Sequence, residues 1–194
     1  MHINLITSVP EFFEQILSVS MLGRAVAAGA VTFRVVSLRD FAPGNLKKQV
    51  DDRPFGGGPG MILKIEPIVR ALDYLSAQNQ RGTVYLTSPQ GTVFHQAQAR
   101  AWSHLDCLTL ICGHYEGVDA RITHFIDGQI SLGNFVLTGG EPAALAMIDA
   151  TVRLLPGVLG NADSLTCESF DADCLEYPQY TRPSVFRGLS VPDV

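Results

Sequence analysis

The sequence predicts an α/β protein with a mostly parallel sheet flanked by helices. Three observations carry this. Strand-like apolar runs alternate with helix-period segments from residue 2 to about 154. Glycine-rich stretches follow three of the strand runs, where an open α/β sheet presents its ligand loops. The 194 residues are 46% hydrophobic and carry a net charge of −5, which excludes a disordered chain and suffices for a core without staples.

The elements follow in order. Residues 2–7 (HINLIT) read as a first strand. Ser8 to Glu11 open a helix with Pro10 near its first turn, continued by Phe12, Phe13, Ile16 and Leu17 at helical spacing. A short helix over roughly 20–28 ends at Gly29, and 31–36 alternate as a strand. Residues 42–60 form a long loop rich in Gly and Pro, holding Lys47, Lys48, Asp51, Asp52 and Arg53. The pattern then predicts a helix over 66–77, a strand over 83–87, a helix over 94–102 and a buried strand over 107–112. A helix over 118–125, a strand over 129–132 and a helix over 140–154, closed by Pro156-Gly157, complete the series. Beyond Gly160 the texture changes: 161–194 hold six acidic and two basic residues and little periodicity. The expected organisation is a domain over 1–160 and an acidic extension or linker over 161–194.

Several function classes drop out. No stretch approaches the roughly 18 apolar residues of a membrane span, and Pro10 and Glu11 interrupt any leader; a cytoplasmic protein is expected. The cysteines at 107, 112, 167 and 174 lack C-x-x-C spacing, and the histidines at 2, 95, 104, 114 and 124 form no metal pattern. Asp51-Asp52 fits a turn or an ion pair better than a metal site. The loop Phe55 to Met61 is no P-loop, because no Lys-Ser/Thr follows it, and no dinucleotide fingerprint follows the first strand. Charge is uneven: residues 1–100 carry 10 basic and 7 acidic residues, and 101–194 carry 4 and 12. A nucleic-acid partner would have to meet local patches or another subunit.

Ser88-Pro89-Gln90-Gly91, Gly113-His114-Tyr115-Glu116-Gly117 and Leu132 to Glu141 could converge on one pocket, since glycine lets backbone groups approach a ligand closely. Together with Val50 to Met61, Tyr180-Thr181-Arg182-Pro183 and Pro10-Glu11-Phe12-Phe13, these strings occur in the order seen in the bacterial tRNA (guanine-N1) methyltransferases. The chain resembles that TrmD family of SPOUT methyltransferases almost end to end. The resemblance implies a deep trefoil knot, an exception among folds, built from the loops after residues 87, 112 and 131.

It also implies a methyl donor, S-adenosylmethionine, bound in the knot by Tyr85, Leu86, Thr87, Ser88 and Pro89, by Gly113, Tyr115, Glu116 and Gly117, and by Leu132, Gly133, Asn134, Phe135, Val136, Leu137, Gly139 and Gly140. The implied reaction methylates N1 of the guanosine immediately 3′ of the tRNA anticodon. Arg153 matches the family arginine that stabilises guanine O6. Glu168, in Glu168-Ser169-Phe170, stands where the family usually has Asp, and is the candidate general base. His114 stands where Arg is common, Asn134 where Asp is common, and Ala120 where a polar residue is common. Mg²⁺ and a homodimer with its active site between subunits come with the resemblance, without assigned metal ligands. The family continues past Val191 to Val194 into a helical domain that grips tRNA. That domain is expected to be largely absent here, with donor binding intact and tRNA binding weak. The alternatives are a knotted donor- or RNA-binding module with impaired catalysis, or another SPOUT RNA methyltransferase.

Overall fold

The computed structural model describes residues 1–44, 49–159, 169–170 and 175–192. The chain divides into two units, Met1–Gly160 and Asn161–Val194.

The first unit is built on five strands: β1 (His2–Thr7), β2 (Thr32–Ser37), β5 (Thr83–Val93), β6 (Cys107–Cys112) and β7 (Gly128–Ser131). Their order is β2-β1-β6-β5-β7, and every pairing is parallel. Parallel strands need crossovers, which bring helices onto both faces. On one face α1 (Ser20–Ala27), α3 (Gln96–Ser103) and α4 (Glu141–Val152) pack over Ile3, Leu5, Leu108 and Leu110. On the other α2 (Ile65–Ala77) covers Ile6, Val84, Leu86 and Ile111. The two-residue alternation along each strand feeds both cores, as strand geometry requires. Among the described residues, no helix is long and apolar enough to cross a membrane.

Each helix shows why it forms where it does. In α2, Ile68, Ala71, Leu72 and Leu75 repeat at three and four residues and are all buried. In α4 the apolar residues nearly encircle the axis, and Met147, Ile148 and Val152 are fully buried. Its one interior hydroxyl, on Thr151, donates to the Met147 carbonyl at 2.7 Å. Pro142 sits in its first turn, where the missing N–H has no helical partner to lose.

The structure departs from the expected elements at four places. Residues 8–17 make two 3₁₀ turns, Pro10–Phe12 and Ile16–Ser18, instead of one helix. Buried Phe13 and Leu17 still reach the core, so their spacing reports burial and not a continuous helix. Residues 118–125 likewise hold a 3₁₀ turn, Ala120–His124, whose cap Asp119 accepts from the Arg121 backbone N–H at 3.0 Å. Strand β5 runs on to Val93, with Thr87 and Thr92 both registered on Ile130, so that Ser88 to Gly91 bulge out of the pairing. The long loop contains a two-stranded ribbon of β3 (Asp51–Asp52) and β4 (Ile62–Leu63), with the Gly56 to Gly60 stretch between its strands.

The second unit, expected to be an acidic extension or linker, contains a hairpin of β8 (Val185–Phe186) and β9 (Leu189–Ser190). Arg187 and Gly188 both have positive φ at its turn, the geometry that matches strand twist.

One buried polar node lies on the α2 face. Asn4, 2% exposed, donates through Nδ2 to the Gln80 carbonyl at 2.7 Å and to Thr109 Oγ1 at 3.0 Å. It thereby ties β1 and β6 to the start of β5. Asn4→Ala removes both bonds and leaves the Gln80 carbonyl to the weaker Cys107 thiol donor at 3.2 Å, a change that costs about 1–3 kcal/mol. The expected result is a melting midpoint lower by roughly 2–12 °C for a chain of this size, read by calorimetry.

Candidate functional site

Strands β6, β5 and β7 are neighbours, so the loops at their carboxyl ends meet. They enclose a cavity of about 230 Å³. From the first loop come Leu86, Thr87, Ser88 and Pro89, and from the second Gly113, His114, Tyr115, Glu116 and Gly117. The third gives Leu132, Gly133, Phe135, Val136, Leu137, Thr138, Gly139 and Gly140, and Val118, Ile130, Ser131 and Ala143 complete the wall. The wall is largely apolar side chain and glycine backbone, with a few polar groups.

Thr87 is the hub. Its Oγ1 donates to the Ile111 carbonyl at 3.1 Å and accepts from the Gly113 N–H at 3.3 Å. The Gly140 N–H donates to the Gly113 carbonyl at 2.7 Å, which ties the third loop to the second. His114 and Gly139 form an antiparallel bridge beside that contact. A Cβ on Gly140 would lie 1.9 Å from Thr87 Oγ1, so the three loops cross at a point with room for backbone only.

The glycine loop of residues 56–60 serves this site as well. The Glu116 N–H donates to the Met61 carbonyl at 3.0 Å, and the Leu63 N–H to the Gly117 carbonyl at 2.9 Å. Gly60 has φ +77°, and a Cβ there would meet Glu116 Cγ at 2.4 Å. The ribbon therefore docks along the second loop. Just beyond, Arg121 Nη2 lies 2.5 Å from Asp119 Oδ2. Hydrogen bonding from Arg121 holds the Asp119 carboxyl below its ordinary range and raises the guanidinium. Asp52 is held low too, first by the Arg53 N–H and then by Lys64, whose Nζ is 3.4 Å from Oδ2. That pairing gives Asp52 the ion-pair role. No group of three or more His, Cys, Asp or Glu suited to a metal exists among the described residues.

Two expected donor-site residues, Tyr85 and Asn134, do not line the cavity. Tyr85 is one residue out of phase with Leu86 and points to the opposite face, where its ring meets Trp102 at 5.0 Å. Asn134 is exposed at the apex of a tight turn closed by the Phe135 N–H and the Gly133 carbonyl, 3.0 Å apart. Six lining residues were not foreseen as donor contacts: His114, Val118, Ile130, Ser131, Thr138 and Ala143. The signal for His114 and Thr138 was present, since both stand inside the glycine strings. The rest depend on which way a strand or helix end faces.

Arg153 caps the far end of α4 from Gly140, about 20 Å along the axis at 1.5 Å per residue, and does not line its own chain's cavity. Glu168 lies outside the described residues, as do Lys47, Lys48, Cys167 and Cys174. Cys107 and Cys112 are free thiols. Burial raises both, and Cys112 is raised further by the charge of Glu141.

A parallel α/β sheet whose glycine loops close a cavity over the carboxyl ends of three adjacent strands defines a ligand-binding enzyme scaffold. Its particular kind follows from comparison with known proteins. The profile of the tRNA (Guanine-1)-methyltransferase TrmD family matches residues 1–194, and the chain belongs to that family. It is 50% identical to the tRNA (guanine-N(1)-)-methyltransferase of Lactobacillus helveticus, over the whole of this chain and 79% of that protein. The enzyme of that name from Caldanaerobacter subterraneus subsp. tengcongensis is 47% identical over 98% of this chain and 78% of its own length. The crystal structure of tRNA (m1G37) methyltransferase from Aquifex aeolicus superposes with a TM-score of 0.85 at 40% identity, covering 99% of this chain and 80% of that one.

Proposed function

We propose that the chain transfers the methyl group of S-adenosylmethionine to N1 of the guanosine immediately 3′ of the tRNA anticodon. The observation that carries this is the meeting of three glycine-bearing loops in one cavity, on a chain of the methyltransferase family. The residues present suit the donor. Leu86, Ile130, Leu132 and Ala143 offer apolar surface for an adenine, and the 113–117 and 132–140 loops offer backbone polar groups. The bound donor supplies a sulfonium methyl. The three-loop crossing is read as a trefoil knot, with the Gly140–Gly113 hydrogen bond at its seam.

Guanine N1–H is a weak acid, and a carboxylate alone is a poor base for it. Glu168 would take the N1 proton as the methyl passes from the donor sulfur to N1, the sulfur–carbon bond breaking to leave a neutral thioether, while Arg153 would stabilise the negative charge that builds on O6. Because Arg153 stands at the opposite end of α4 from the cavity of its own chain, we assign it to the cavity of a second copy. The site then lies between two subunits. Glu168 belongs to the 161–194 segment, and the reaction belongs to the cytoplasm. Magnesium remains an expectation of the family resemblance, with no residue assigned and no step routed through it.

The test is transfer of a labelled methyl to two tRNA transcripts that differ only in G or A at the target position. The expected product is N1-methylguanosine from the G transcript and none from the A transcript. Donor binding without turnover on either would favour the alternative of a binding module with impaired catalysis. Label on ribose or another base would favour a different RNA methyltransferase.

A further inference from the structure

A buried polar pair at the seam of the cavity has no part in the chemistry above. Glu141 opens α4, yet it is only 3% exposed. Its Oε1 accepts from Thr7 Oγ1 at 2.6 Å. Its Oε2 faces His114 Nδ1 at 3.6 Å, just beyond hydrogen-bonding length. That Nδ1 is buried and has no hydrogen-bond partner. The helix N-terminus favours Glu141 as an anion, and a buried anion is costly unless a cation or donor meets it. The His114 imidazole stands where that donor is needed.

The pair spans two loops. His114 belongs to the second loop and bridges to Gly139 of the third. A Cβ on Gly139 would lie 2.4 Å from Glu141 Oε2 and 2.6 Å from His114 Nδ1, so the seam is closed around these two groups. His114 and Gly139 both line the cavity, as does Tyr115, whose ring is edge-on to His114 at 5.0 Å. The His114 side chain keeps 27% exposure.

We propose that His114 and Glu141 are positioning residues for the methyl donor, forming a proton-dependent latch between the second and third loops. This rests on the donor-site reading above. With the imidazole protonated, Nδ1–H bonds to Glu141 Oε2 and holds the seam closed; with it neutral, the seam relaxes and the donor is held less tightly. The groups around the ring leave Glu141 as its ionic partner. β1 brings the Thr7 hydroxyl, and β6 brings the Cys112 thiol, which burial and then the Glu141 charge keep protonated. The third loop brings glycines and Thr138. In its own loop stand Tyr115 and Glu116, the latter lying against Gly60.

The experiment is calorimetric titration of the full chain with S-adenosylmethionine from about pH 5.5 to 7.0. Histidines titrate there, below the usual range of an α-amino group, about 7.7–8.0. Donor Kd is expected to rise with pH by about fivefold, the low end for coupled sites. His114→Gln binds weakly with no such rise, and Glu141→Gln also loses the pH dependence. His114→Arg, a permanent cation, restores tight binding across the range. By reciprocity, bound donor must make His114 keep its proton to higher pH, read from imidazole ¹⁵N shifts in wild type. Tight wild-type binding with a flat pH profile would overturn the latch and leave the donor site standing, as would a wild-type slope in His114→Gln. No donor binding at any pH would overturn both.

Discussion

Glu168→Ala is expected to lower methyl-transfer turnover by about 10²- to 10⁴-fold, the usual contribution of a positioned base, with S-adenosylmethionine affinity unchanged. The two readouts separate because the described lining of the proposed donor cavity belongs to Met1–Gly160, whereas Glu168 belongs to Asn161–Val194. Without the carboxylate, N1 must lose its proton to solvent, so log kcat should climb with pH more steeply in the variant than in wild type. Glu168→Asp keeps the charge and shortens the side chain by one methylene. Catalytic groups are sensitive to displacements of that size, so partial activity is expected. Single-turnover assays with the purified chain and a G-containing transcript measure all three. Full activity of the alanine variant would remove Glu168 from the mechanism and leave methyl transfer standing.

Gly140→Ala is expected to abolish measurable donor binding and to lower the melting midpoint. A Cβ at this position would overlap Thr87 Oγ1 at 1.9 Å and approach the Gly113 nitrogen at 2.8 Å. Neither neighbour can yield cheaply. Thr87 Oγ1 is engaged with the Ile111 carbonyl and the Gly113 N–H, and both lie in the seam of the crossing. The overlap must be relieved by parting the loops, which also weakens the 2.7 Å bond from the Gly140 N–H to the Gly113 carbonyl. Overpacking of this kind costs about 1–3 kcal/mol or more, roughly 2–12 °C in a chain of this size. Calorimetric titration with S-adenosylmethionine and a thermal melt check the two effects. Gly157→Ala is the control, because a Cβ there meets nothing within 4 Å, although its φ of +78° carries its own strain. It should shift the melt and spare the donor.

The glycine strings of residues 113–117 and 132–140 were legible as ligand loops, because a tight turn or close backbone approach leaves glycine in the sequence. The strand runs were legible because apolar β-branched segments announce burial. Segments 8–17 and 118–125 misled for a related reason. Apolar spacing reports which side chains are buried, and a pair of 3₁₀ turns buries Phe13 and Leu17 as well as a helix would. The hairpin of β8 and β9 left only the local signal of Arg187-Gly188. Tyr85 turns its ring toward Trp102 and away from the cavity, because one residue along a strand is the difference between two faces.

Local pattern alone decided the α/β class, the main strands and helices and the three pocket loops, since these depend on periodicity and on backbone conformations that only glycine adopts freely. Family likeness added the reaction. Tertiary contact alone decided that Thr87, Gly113 and Gly140 share one point, that Gly60 lies against Glu116, and that buried Glu141 faces His114 across a seam. Those pairs are separated by 26 to 56 positions in the chain. Pattern read along a chain carries no information about which distant groups the folded strands bring together.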